Sequence, residues 1–553
     1  MKTIKIFVSL LSAIFVLGSC AQSLLDIPQQ GVSSESDSYI TDDDALKAIA
    51  AVYEEWKITE TGMFDWATMY GNGFMVRNYL SDDLASGGSR SDQPAWQEFN
   101  ESTITASNPI VTKYYEHLYA LIYKANLVIS KFDEKESDIK KRAIAEAYFF
   151  RAYAHYQLVN LWGTPPIVDH CLIPSEYECE NSTTEALYAQ IEKDYKAAID
   201  ANILPSKSGI NDPLGPIRVT KEAVQAFYGQ ALLQQKKYTE AKSQFDKVIK
   251  SNLYELESDI SIFFHTAGNN SKEYILEANR HYDTNNMAGN VQHGMYAILW
   301  NWAFGYGLFP GPDASKYFKF NAIGYSNGNV TKNLYDAFVA EEGKEGYRLV
   351  NNIKTWDQVV AMNVYTNTNM SFYMNEGLFR FKWLPSVDDE NVQYWTGSLA
   401  TTPLMRYADV LLMMAECCVM TDGGGDTYLN QVRTRAKLPT KKGITLEDVK
   451  TERRLELALE GIRYFDLLRW GDAPKALADK GKKLATLRIK PLQEVDGTDI
   501  QGIYNAKYEL NVEYIDNEKS LAGFTVGRDE LLPFPESELQ VNKKLRQNPG
   551  YSN

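Results

Sequence analysis

Aromatic side chains set among short polar ones are the part of this sequence with a plain chemical use. Trp96 follows the acidic pair Asp82 and Asp83, and Tyr296, Trp300, Asn301, Trp302 and Tyr306 crowd the stretch 296–306. Tyr373, Tyr394 and Trp395 follow later, and Arg348 is a cationic candidate between the two groups. A sugar ring has apolar C–H faces ringed by hydroxyls, so its capture needs flat aromatic surfaces flanked by Asp, Asn, Arg or Tyr hydrogen-bonding groups. These twelve residues are the candidate ligand contacts. The competing role for each Trp is core packing, the usual fate of a large aromatic.

Catalytic readings fare less well. Gly324-Tyr325-Ser326-Asn327-Gly328 has the Gly-x-Ser-x-Gly form of a nucleophile elbow, which needs a later His as base. All six histidines (His117, His155, His170, His265, His281 and His293) precede Ser326, so a Gly/Asn-rich turn is the better account. A glycosidase needs two opposed carboxylates. Asp82, Asp83, Asp388 and Glu390 are available, but 72 acidic residues make their presence uninformative. Gly423-Gly424-Gly425 is followed by Asp426 rather than by the Lys of a phosphate-binding loop. The sequence contains no Cys-x-x-Cys and no His-Glu-x-x-His, and it implies neither a metal nor a cofactor.

Helices must position these residues. Gly229, Tyr238, Ala241, Phe245 and Val248 fall at the offsets of a tetratricopeptide repeat within Thr220–Leu256, with small residues where two helices approach and aromatics filling the space between. One such unit cannot bury its own apolar face, so partner units are required. The spacing predicts three further helix pairs: Asp44–Lys57 with Val111–Phe132, Ile139–Trp162 with Thr184–Ala201, and Leu404–Met420 with a segment beginning near Leu446. Between them, Thr61–Asn108 and Phe263–Thr402 are rich in Gly, Asn and Tyr or Trp without a sustained helical period, the composition of loop-rich inserts. The predicted division is a helical scaffold over 44–60 and 109–262, a first binding insert over 61–108 and a main ligand-binding insert over 263–402. A fourth helical unit over 403–475 and a mostly irregular tail over 476–553 complete it.

The 553 residues carry 57 Lys and Arg against 72 Asp and Glu, a formal charge of −15 that argues against a nucleic-acid partner. Lys2 and Lys5 precede an apolar run, Ile6–Leu17, that reads as a signal peptide over residues 1–19. Leu17-Gly18-Ser19-Cys20 has the form of a lipobox, which makes Cys20 the lipidated first residue of the mature chain, with 20–43 as its N-terminal segment. Cys171 and Cys179 flank a short loop and could oxidise together, whereas Cys417 and Cys418 sit in an apolar helical run.

Several blocks match a known pattern in order. Leu25-Asp26-Ile27-Pro28 follows the lipobox, then come Ala145-Glu146-Ala147-Tyr148-Phe149-Phe150-Arg151-Ala152 and Trp162-Gly163 with Pro165-Pro166. Arg406-Tyr407-Ala408-Asp409-Val410-Leu411-Leu412, Glu452-Arg453-Arg454 through Gly461, and Phe465-Asp466-Leu467 through Gly471 come next, with Pro533-Phe534-Pro535 and Gln547-Asn548-Pro549-Gly550-Tyr551 at the end. Together they resemble the SusD/RagB family of outer-membrane glycan-capture lipoproteins. The resemblance implies a mainly α fold of about four tetratricopeptide-like units carrying an irregular, loop-rich ligand-binding region. It also implies a non-catalytic glycan receptor that faces the cell exterior and delivers its ligand to a SusC-like TonB-dependent transporter. Peptide capture by the same machine, and a glycan-acting hydrolase, are the alternatives. Ala21 to Leu25 is uncharged, where surface-exposed relatives often carry an acidic run. The charged blocks read as fold determinants: Arg453–Glu456, Glu460–Arg463 and Asp466–Arg469 are i,i+3 pairs able to brace one helix, with Leu457, Gly461, Phe465 and Leu468 as its buried stripe. Arg151 and Arg406 read as buried partners for carboxylates or carbonyls rather than ligand clamps.

Overall fold

A computed structural model describes residues 39–62, 71–88, 91, 93–212, 215, 217–279, 302, 307–311, 314, 324, 326–384, 400–493, 502, 506–519 and 522–552. Polar caps start the helices. The Thr41 hydroxyl accepts the Asp44 N–H and the Asp44 carboxylate accepts the Thr41 N–H at 2.8 Å, a reciprocal cap that opens α1 (Asp42–Thr61). After α2 (Gly73–Leu80) and α3 (Pro94–Glu101), a simpler one-way cap, a side-chain oxygen accepting a first-turn N–H, recurs. Asn108 caps α4 (Pro109–Lys131), Ser137 caps α5 (Asp138–Trp162), Thr183 caps α6 (Thr184–Asp200) and Thr220 caps α7 (Lys221–Gln234), which is followed by α8 (Tyr238–Lys250).

These helices form a row in which α1 packs on α4, α4 on α5, α5 on α6, α6 on α7 and α7 on α8. The residues show why. α4 buries Tyr114, Leu118, Leu121, Ile122 and Ala125 at i, i+3 and i+4 spacing, one face of a helix. From Ala143 to Trp162 α5 is buried nearly all round, polar Glu146, Arg151 and His155 included, as a helix held between α4 and α6 must be. Arg151 on α5 is buried with it and is neutralised by Asp194 of α6 through bonds of 2.8 and 2.6 Å. Cys171 and Cys179 are free thiols; Cys179 Sγ donates to the Glu176 carbonyl at 3.0 Å, so the predicted option of a disulfide is not taken up.

The chain leaves the row along β2 (Tyr274–Ala278) and returns along β9 (Thr402–Arg406). The two strands pair antiparallel, with Ala278 opposite Thr402 and Tyr274 opposite Arg406. The described residues between them form α9 (Lys332–Glu342), α10 (Tyr347–Asn352), α11 (Trp356–Ala361) and two-to-four-residue strands β3 (Phe309–Pro310), β4 (Asn329–Val330), β5 (Ile353–Thr355), β6 (Val364–Tyr365), β7 (Met370–Tyr373) and β8 (Leu378–Arg380). β4 pairs with β1 (Leu84–Ala85), which joins the first insert to the main one.

The row resumes with α12 (Tyr407–Met420), packed on α8, then α13 (Asp426–Arg435), α14 (Leu446–Glu456) and α15 (Arg463–Trp470). The single braced helix expected over 453–469 is two helices. Leu459 and Gly461 take left-handed φ of 67° and 76° in the turn between them, which ends α14 at Glu456. Of the three expected pairs, Asp466–Arg469 forms at 2.7 Å. Arg453 instead bridges Asp409 and Asp466, at 2.7 and 2.9 Å.

The tail also departs from the irregular expectation. After α16 (Ala473–Ala476), β10 (Lys483–Pro491) and β11 (Tyr508–Asp516) pair over nine residues, and β10 also pairs with β7 of the main insert. Period-two burial of Leu487 and Ile489 against exposed Arg488 and Lys490 drives this hairpin. Past it, and around α17 (Glu536–Val541), the chain closes on the end of α5. Trp162 Nε1 donates to the Pro533 carbonyl at 2.9 Å, Asn548 Nδ2 donates to the carbonyls of Trp162 and Leu532, and Gln547 bonds both backbone groups of Phe534. The terminal motif is thus a structural latch.

Gly229 tests the packing of the row. A Cβ there would lie 2.5 Å from Cε1 of Phe245, whose ring is fully buried. Helix propensity alone makes Gly→Ala favourable by about 1 kcal/mol. We expect Gly229→Ala to destabilise by about 1–3 kcal/mol instead, because Phe245 has nowhere to swing. Urea unfolding reads the sign; a stabilised variant would mean that the two helices are not in close contact.

Candidate functional site

The main insert has its own apolar floor. Trp302, Trp356, Phe372 and Phe379 pack with Leu487 and Ile489 of the tail hairpin in a second core, separate from that of the helical row. Trp302 meets Phe379 edge-on at 5.5 Å between ring centroids, and its indole N–H donates to the Arg380 carbonyl at 2.8 Å. β3 presents Phe309, 44% exposed and next in sequence to Leu308 of this core. A lone Phe among loop residues gave no sequence signal of this exposure.

A buried ion network clamps the insert to the fourth helical unit. The Arg406 guanidinium, at the end of β9, bonds Glu460 at 2.9 and 2.6 Å, Glu456 at 3.2 Å, and Glu273 at the start of β2. Lys382 of the insert reaches Glu460 at 2.7 Å, and Arg435 reaches Glu273 at 3.0 Å as well as Glu456. Arg348 of α10 reaches Glu452 at 2.6 Å and Glu342 at 2.5 Å, while Arg433 holds the other side of Glu452 at 2.9 Å. Burial works against the charge of Glu456, but Arg435, Arg406, Arg348 and Lys382 outweigh it and hold the carboxyl down at about 2. Burial lowers the Lys382 ammonium despite Glu460.

A second, neutral network ties the first insert to the main one. Asn327 Oδ1 accepts the Gly87 N–H at 2.9 Å and Asn327 Nδ2 donates to Gln93 at 3.0 Å. Asn100 bonds both backbone groups of Ser86, at 2.8 and 2.9 Å. Any Cβ on Gly87 would collide with the Ser326 carbonyl. Ser326 is itself buried in a left-handed turn with φ of 56°, so the formal Gly-x-Ser-x-Gly motif is a packing turn.

The structure places the candidate contacts in three groups. Asp82, Asp83, Trp96 and Arg348 are buried, which removes them from any open ligand surface. Asp82 is held by Arg463 at 2.9 Å and Arg454 at 3.1 Å, and Asp83 by Arg454 at 2.7 Å. Burial alone would raise the Asp82 carboxyl, but Arg454 and Arg463 bring it below its ordinary value; Asp83 is pushed up, by burial first and by the neighbouring Asp82 charge. Trp96 is fully buried between Tyr79, at 4.9 Å, and Phe99, at 5.1 Å. Arg348 belongs to the clamp. Trp302 and Tyr373 are buried within the main insert, at its floor and on β7. Tyr296, Trp300, Asn301, Tyr306, Tyr394 and Trp395, like Cys20, lie outside the described residues.

A helical row bearing a clamped, aromatic-floored insert is the architecture of a class of binding proteins. The chain belongs to the SusD family, whose model matches residues 185–551, and a second model, described as starch-binding associating with outer membrane, matches residues 38–233. SusD-like protein P38 of Formosa agariphila is 23% identical over 552 residues, covering 93% of this chain and 99% of the relative. A SusD-like protein of Bacteroides ovatus is 21% identical, covering 97% and 96%. Among solved structures, a laminarin-binding SusD-like protein superposes with a TM-score of 0.74 at 25% identity, covering 92% of this chain and 99% of that one. Surface glycan-binding protein A of Bacteroides thetaiotaomicron, solved with laminarihexaose, gives 0.69 at 22% identity, covering 92% and 100%.

Removing the clamp's central cation leaves Glu273, Glu456 and Glu460 short of a partner. We expect Arg406→Met to cost about 3–5 kcal/mol in urea unfolding. The pH dependence has a defined sign: a carboxyl depressed in the folded state adds stability above its unfolded value, 4.5, that is lost as pH falls toward about 2. Wild-type stability should therefore fall across that window, and fall less in Arg406→Met. Equal acid sensitivity of the two proteins would show that Arg406 does not govern Glu456.

Proposed function

We propose that this protein captures a neutral glycan of the laminarin type on the main insert, without chemical change, and delivers it to a SusC-like TonB-dependent outer-membrane transporter. The observation that carries this reading is end-to-end family membership together with a fold shared with a laminarin-binding SusD-like protein. Charge is compatible with it, since a glucan chain asks nothing of a protein at −15, whereas a sulfated ligand would have to overcome that field. The contacts assigned are Tyr296, Trp300, Asn301, Tyr306, Tyr394 and Trp395, with Phe309 as an added face. In sequence they lie within about ten residues of Trp302 or follow Leu384, two members of the second core.

Isothermal titration with laminarihexaose tests the ligand and the site together. Trp300→Ala and Trp395→Ala should each lower affinity by about 2 kcal/mol or more with little change in melting temperature. Trp96→Ala and Trp302→Ala should cost about 3–5 kcal/mol of stability, as core truncations do. Full affinity in both Trp300→Ala and Trp395→Ala would put the site elsewhere, and shortened oligosaccharide after incubation would overturn the non-catalytic reading.

Lipid anchoring at Cys20 is part of the same proposal, supported by the lipobox and by a family description that associates relatives with the outer membrane. Each buried methylene contributes about 0.8 kcal/mol, so several acyl chains make a stable anchor. Cys20→Ala should release folded protein into the soluble fraction of cells lacking the transporter. Membrane retention of that variant would contradict the assignment.

A further inference from the structure

β11 is the outer strand of the sheet β11–β10–β7. It runs nine residues, as β10 does, while every other described strand has five or fewer. The register fixes where its backbone points. Leu492 N–H donates to the Lys507 carbonyl and Asn517 N–H to the Lys482 carbonyl, each at 2.8 Å, and the ladder between them is unbroken. Alternation then directs the N–H and C=O groups of the odd-numbered β11 residues to β10. Those of Leu510, Val512 and Tyr514 face the open edge. Leu510, Tyr514 and Ile515 are 39%, 49% and 51% exposed, and no described strand lies on that side.

Sheet edges are usually guarded by short length, Lys, Pro or a bulge. β11 has no Lys, no Pro and no bulge. Its side chains define what can add to it. Glu509, Asn511 and Glu513 share a face with Arg488 and Lys490 of β10, and Arg488 Nε pairs with Glu513 at 2.9 Å. Leu510 and Val512 lie opposite Ile489 and Leu487 on the face of the second core. Charge thus alternates by strand, basic on β10 and acidic on β11. Facing opposite charges stabilise a strand pair and facing like charges destabilise it.

We propose that the β11 edge docks an extended segment of another protein in which Lys or Arg alternates with apolar residues, by strand addition. A second copy of β11 would crowd Glu509 and Glu513 against their own kind. Residues 20–38 of this chain carry Asp26, Glu35 and Asp37 and no Lys or Arg. Charge therefore disfavours both as occupants.

The test is fluorescence anisotropy of a labelled nine-residue peptide alternating Lys and Val, added to the purified full chain in detergent. Binding should saturate and weaken with added salt. It should be about tenfold weaker or more for a Glu/Val peptide and for a Lys/Val peptide N-methylated on alternate amides. Leu510→Pro removes one outward N–H and leaves the β10 ladder intact, so it should keep the melting temperature and lose binding by a similar factor. If that variant does not fold, Glu509→Lys decides, and should shift preference from the Lys/Val to the Glu/Val peptide. Equal binding of the two peptides, unchanged binding in folded Leu510→Pro, or unchanged preference in Glu509→Lys would each overturn the proposal. So would a wild-type dimer that Leu510→Pro dissociates, which would assign the edge to a second copy.

Discussion

An arginine buried from water must be neutralised by carboxylates that are buried with it, and Arg406 lies where a long insert rejoins the helical row. Its partners come from two parts of the chain: Glu273 where the insert departs, and Glu456 and Glu460 on the fourth helical unit. The insert's own Lys382 and Arg348 share the same carboxylates. Such a network adds little net stability compared with an apolar core, since desolvation offsets much of the attraction. What it supplies here is geometry. Any shift of the insert along α14 would strand a charge in low dielectric, so one docking position is strongly preferred. The break between α14 and α15 belongs to this arrangement, because Gly461 lets the chain turn after Glu460 has met Arg406.

The helical row was legible in the sequence because its signals are local. Caps at Ser137, Thr183 and Thr220 and the apolar stripe on α4 lie within a few residues of the features they specify. The tail hairpin was not legible, because scattered prolines masked a period-two pattern in 483–491 and 508–516. The candidate site was misread where burial depended on distant partners. Asp82 and Asp83 are neutralised by Arg454 and Arg463, more than three hundred residues away, and nothing near Trp96 reveals that Tyr79 and Phe99 enclose it. Arg348, a candidate ligand contact by sequence, is buried against Glu342 and Glu452 for the same reason.

For a receptor that works by capture, these constraints have a use. Binding free energy is lost whenever a surface must be ordered at the moment of contact. Here the ion clamp fixes the base of the insert, the Asn327 bonds to Gly87 and Gln93 fix the first insert against it, and Trp302, Trp356 and Phe379 fill the floor. On the proposed reading, a base fixed in this way lowers the ordering cost of capture. The charges of the insert's base, Arg348, Lys382 and Arg406, are spent on carboxylates, which suits recognition of a neutral chain by stacking and hydroxyl hydrogen bonds.

Hydrogen exchange with and without laminarihexaose tests this account most directly, because it reports the ligand's position without a mutation. Saturating ligand should slow exchange in residues 280–323 and 385–399 and leave α4 to α8 unchanged. Protection confined to the helical row, or no protection anywhere at saturation, would contradict the assignment of the main insert as the glycan site.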